Sequence, residues 1–167
     1  MSLRYCAWAQ WGLYLVSQPP GVIDMDLVHV SPVEIVKISG RGLFDGFLFF
    51  SSQAKKTHGS FVYSLSIDES EIIAAKSLFY HADAAKLDAL VADFCERYSV
   101  STDTAEEIIS ERSQLDNCDA DASWDCQLFT AKAAKILGFR GVEVSDEYGS
   151  SYIVLMTHRE NELKLEA

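Results

Sequence analysis

The sequence predicts an α+β fold, with antiparallel strands at both ends of the chain and helices inserted between the early and late strands. Two observations point there. Phe61, Tyr63, Leu65 and Ile67 in "SFVYSLSI" and the valines of "FRGVEVSDEYGSSYIVLM" follow the two-residue period of strands, whereas from about Ser70 the apolar period moves towards 3.6. A third observation excludes the main alternative: strands and helices do not alternate regularly, so a repeating βαβ architecture is not expected.

Taken in order, "RYCAWAQWGLYLVSQPPGVID" ends in a Pro-Pro-Gly turn, and Trp8, Trp11 and Tyr14 suggest a strand or short helix packed on the core. "DLVHVS" reads as a short strand. In "SPVEIVKISG", Ser31 is placed as an N-cap and Pro32 at the first helical position, which predicts a short helix ending at Gly40. Gly42 and Gly46 bracket a turn before the apolar strand Phe47–Phe50, and the loop "SQAKKTHG" leads to "SFVYSLSI".

Leu87, Leu90, Val91 and Phe94 share one face of a first long helix. A second helix is expected over "TDTAEEIISERSQL" and a third from Trp124 to Gly138, after a polar loop "DNCDADAS". The late strands flank "DEYGSS", where Gly149 can supply a positive φ, so they form a hairpin.

At 167 residues the chain suits one domain with its own core. A hydrophobic share of 49% excludes a disordered chain, and the net charge of -11 argues against direct binding to a nucleic-acid backbone. Twelve acidic and three basic residues lie between Ala82 and Asp125, so that segment supplies -9 of the total. It forms a solvated helical face or a surface for a basic partner. No stretch reaches the ~18 apolar residues of a membrane span. The N-terminal apolar run is broken by Gln10 and follows one basic residue, a poor signal-peptide pattern. Cys6, Cys95, Cys118 and Cys126 form no C-x-x-C pair and no metal-ligand spacing, as suits reduced cytosolic thiols.

Strand parity isolates the chemically interesting residues. Val142 and Val144 share one face and Glu143 and Ser145 the other; continued regularly, the strand puts Asp146 with the valines. A carboxylate there either serves a cleft or opens the hairpin turn, and taken alone the turn is the commoner use. His29, between Val28 and Val30, is by itself more often a packed or surface histidine. Ser51 and Ser52 are ordinary strand terminators.

Together and in this order, "VHVSP", "GLFDGFLFFSS" and the late "G-F-x-G-V-E-V-x-D-E-x-G" strand and hairpin resemble the ADP-ribosyltransferase family. The likeness is closest to its phage-encoded anti-CRISPR members, which modify a protein of the CRISPR surveillance complex. It covers about Leu27 to Leu155 and leaves residues 1–26 as an extension of unknown role. Asp146 stands where many members of the family carry Glu and the anti-CRISPR relative carries Asp.

The resemblance implies an antiparallel split β-sandwich and a cytoplasmic mono-ADP-ribosyltransferase. Its substrates would be NAD, cleaved between nicotinamide and ribose, and a protein target in a bacterial host. Asp146 would be the catalytic carboxylate, with Glu147 or Glu143 in its place if the register differs. His29 would hold the adenosine ribose, with Ser31 beside it on the cofactor side. Phe50 or Tyr63 would stack on nicotinamide, and Ser51 would brace the carboxylate. His58 reads as a surface residue. A non-enzymatic alternative is an acidic decoy that binds a nucleic-acid-handling protein through the Ala82 to Asp125 surface.

Overall fold

The computed structural model describes residues 23–41, 44–52, 61–146 and 149–166. The aromatic segment around Trp8, Trp11 and Tyr14, together with Gly42, His58 and Glu147, lies outside them. Seven strands form one sheet in the order β4-β5-β6-β2-β1-β3-β7. Strand β1 (Asp24–Ser31) runs antiparallel to β3 (Phe61–Asp68) along its whole length, and β7 (Lys164–Leu165) borders β3. The other half is built from β2 (Phe47–Ser51), β6 (Gly149–Leu155), β5 (Gly141–Asp146) and β4 (Ile72–Ala74). Strands β4 and β5 are parallel, whereas the other pairings are antiparallel.

Helices α1 (Asp88–Tyr98), α2 (Thr102–Ile109) and α3 (Ala120–Ile136) occupy the middle of the chain, as the change of period predicts. The α3 boundary differs from expectation, because Asp119 accepts the Ala122 N–H and caps a helix that takes in the second half of the supposed polar loop. Helix α2 stops earlier than expected. Ser110 turns its hydroxyl back onto the Glu106 carbonyl, and Glu111 adopts φ +57°.

The helix predicted over residues 32–39 does not form. Ser31 donates its hydroxyl to the Val33 carbonyl at 2.6 Å, making a tight local turn instead of a cap. Beyond it, the Ile35 N–H donates to the Tyr63 phenol oxygen at 2.8 Å, and the Ile38 carbonyl accepts from the His158 N–H at 3.0 Å. Backbone groups a helix would pair internally are thus taken up by distant partners. Strand β4 was equally invisible in the sequence, since three residues are too few to display a period.

The sheet carries a core on each face. Phe47, Val142, Val144 and Ile153 pack with Leu78, Phe94, Ile109 and Phe129 beneath the helices. Leu27, Phe50, Leu65, Ile67, Val154 and Met156 meet Ile38 on the opposite face. Each such large side chain contributes about 1.5–3 kcal/mol by leaving water, enough to fix the strand register that orders the candidate site.

Candidate active site

Strands β1 and β2 meet at a single register pair among the described residues, Val28 with Ser51. Next to that pair the ladder gives way to a side chain: His29 Nδ1 lies 2.6 Å from the Phe49 carbonyl oxygen. Because a carbonyl only accepts, Nδ1 carries the proton and Nε2 is the acceptor nitrogen. Burial pushes the imidazole below its ordinary value of 6.5, with the Phe49 hydrogen bond opposing, so at neutral pH the ring is uncharged.

The register arranges the other candidates around this histidine. Glu143 pairs with Tyr152, Tyr152 with Phe50, the Phe50 ring lies 5.5 Å from the His29 ring, and His29 pairs with Tyr63. A row therefore crosses the sheet from Glu143 to Tyr63. One step along, Val144, Ser151, Ser51 and Val28 form a second row. The Glu143 carboxylate accepts a hydrogen bond from the Ser150 hydroxyl.

Asp146 ends β5 and pairs with Gly149, whose φ of +130° starts the return strand; Glu147 belongs to the two residues between them. The ends of β5 and β2 and the start of β6 meet at one end of the sheet, and because β1 runs antiparallel to β2, the end of β1 and the start of β3 lie towards the other end. Ser51 and Asp146 are thereby brought towards the same end although they are far apart in the chain, His29 lies in the row next to Ser51, and Ser31 lies towards the opposite end.

Not every candidate presents itself to solvent. Phe50 and Tyr63 are 2% and 5% exposed, and the Tyr63 hydroxyl holds the Ile35 amide, so neither ring offers an open stacking face. Ser31 is buried in its own turn. The structure adds two residues that the sequence did not single out. Ser151 stands opposite Ser51, and Glu111 accepts the Ser145 N–H at 2.8 Å. Glu111 is 34 positions from Ser145 and had no local signal. A cavity of about 420 Å³ adjoins it, lined also by Ser113, Gln114, Cys118, Gln127 and Ser145.

Among the described residues no group of three or more His, Cys, Asp or Glu side chains is placed to hold a metal, and Cys95, Cys118 and Cys126 are free thiols. No described helix is long and apolar enough to cross a membrane.

The model of a family described as anti-CRISPR type I-F ADP-ribosyltransferase AcrIF11 matches residues 26–162. The chain belongs to that family. The match runs from Asp26 within β1 through β6 and hence includes His29, Ser51 and Asp146. Among solved structures, the crystal structure of an anti-CRISPR protein is similar at 24% identity and a TM-score of 0.57, over 83% of this chain and 94% of that one. That likeness is one of fold. No curated protein matches the chain. Membership in the AcrIF11 family supports anti-CRISPR ADP-ribosylation as the general activity and NAD as the implied substrate.

Proposed function

We propose that the protein is an NAD-dependent mono-ADP-ribosyltransferase that modifies a protein of a CRISPR surveillance complex in the cytoplasm of a bacterial host. The supporting observation is that His29, Ser51 and Asp146 all lie inside the span matched by the AcrIF11 family, with Ser51 and Asp146 towards one end of the sheet and His29 in the row next to Ser51. In this reading the sheet is the split sheet of an ADP-ribosyltransferase. The Val28–Ser51 pair is its joint, and NAD lies in the crevice that opens beyond it.

The neutral His29 imidazole offers Nε2 as an acceptor for a ribose hydroxyl, while its Nδ1 bond to Phe49 fixes the ring. As the bond from the ribose C1 to the nicotinamide nitrogen breaks, its electron pair leaves with nicotinamide and positive charge develops on the ribose. The Asp146 carboxylate, held against a ribose hydroxyl, stabilises that charge more than the ground state; Glu143 and Glu147 are the neighbouring carboxylates able to share the task. Ser51 braces the carboxylate, and Ser31 shapes the turn below His29. A nucleophilic atom of the target then bonds to C1 and gives up its proton.

The test is incubation with biotin-labelled NAD and lysate holding a type I-F surveillance complex, followed by mass spectrometry of labelled proteins. Labelling of one complex subunit with release of nicotinamide is expected. Inhibition that is salt-sensitive and independent of NAD, with no labelling, would replace this reading by the acidic decoy.

A further inference from the structure

We propose that Glu111 is a positioning residue that fixes the end of β5 carrying Asp146, a role that rests on the transferase reading above. Strand β4 pairs with β5 at Gly141, Val142 and Glu143 and then departs into the 3₁₀ turn Ala75–Tyr80. The Leu155 N–H donates to the Arg140 carbonyl, so by the alternation of an antiparallel ladder the Ser145 N–H points away from β6, towards the edge that β4 has vacated. Glu111 Oε2 receives that N–H at 2.8 Å. A side chain thus completes the edge where the neighbouring strand has ended, one residue before the candidate catalytic carboxylate.

The mount behind Glu111 is stiff. Its N–H donates to the Ile108 carbonyl at 3.0 Å, and its φ of +57° turns the chain off the end of α2. The adjoining Ile109 carbonyl accepts from the hydroxyl of Thr130, a residue of α3 that is 1% exposed. Helix α3, the end of α2 and the end of β5 are therefore tied in sequence. Burial pushes the Glu111 carboxyl above its ordinary range while the Ser145 hydrogen bond opposes, so this contact favours the ionised form against its surroundings.

The experiment compares the wild type with Glu111→Ala and Glu111→Gln, measuring amide hydrogen exchange at Ser145 by NMR beside the kcat and KM of NAD cleavage. Glu111→Ala should expose the Ser145 amide and lower kcat ~10- to 100-fold, the scale expected for a misplaced catalytic group, with KM for NAD little changed. Glu111→Gln retains a carbonyl oxygen to accept the bond, and should restore both protection and most of kcat. Unchanged kcat in the Ala variant, a Gln variant as slow as Ala, or unchanged Ser145 exchange would each overturn the proposal. A wild type that cleaves no NAD overturns the transferase reading and this role with it. Ser145 exchange, read independently of turnover, tells that failure from a missing Glu111 contact.

Discussion

His29 donates its Nδ1 proton to the Phe49 carbonyl at the point where β1 and β2 cease to pair. A side chain thus replaces a strand-to-strand contact, which fixes both the ring's tautomer and the direction of its second nitrogen.

This arrangement makes His29 pH-sensitive with a defined sign. Its folded value lies below the ordinary 6.5, so between the two values the unfolded chain binds more protons. The contribution of His29 to stability is present above about pH 6.5 and lost as the pH falls towards the folded value. Melting temperatures over about pH 5 to 8 should show that slope in the wild type and a shallower one in His29→Gln. Parallel curves would assign the slope to other groups. NAD titration by calorimetry should show weaker binding for the variant at neutral pH.

Asp146→Asn keeps the side-chain shape and removes the charge. NAD cleavage should fall by roughly a hundred- to a thousand-fold, the usual effect of losing one preorganised electrostatic contact, while the melting curve stays in place. Near-normal turnover would transfer the role to Glu143 or Glu147, whose amide variants are the next comparison.

Gly141 sits where β4, β5 and β6 meet. A Cβ there would lie 2.6 Å from Ile72 Cδ1 and 3.1 Å from the Ile153 carbonyl oxygen. Gly141→Ala should destabilise the protein by about 1–3 kcal/mol through overpacking, measured by denaturant unfolding. Unchanged stability would mean that β4 moves aside freely.

Thr130→Val preserves shape but leaves the Ile109 carbonyl without its hydroxyl donor in a buried setting. A loss of about 1–3 kcal/mol is expected. If the α2 end indeed supports Glu111, Ser145 exchange should rise as well; a stability loss with unchanged exchange would separate the two.

The sequence by itself determined the elements whose signal is local. The alternation of Phe61 to Ile67 marked β3, the spacing of Leu87, Leu90, Val91 and Phe94 marked α1, and the two valines before a Gly-containing turn marked the β5–β6 hairpin. It also made His29 and Asp146 conspicuous, because a polar residue in an apolar strand requires a partner or a task. Tertiary structure alone decided the rest. Residues 32–39 have a helix's start signals but pair with Tyr63 and His158; β4 exists through Gly141 to Glu143; and Glu111 reaches Ser145 across 34 positions. The physical reason is common to all three: a hydrogen bond's partner is chosen by what the packed sheet and helices bring within about 3 Å, and no local period records a neighbour that distant in the chain.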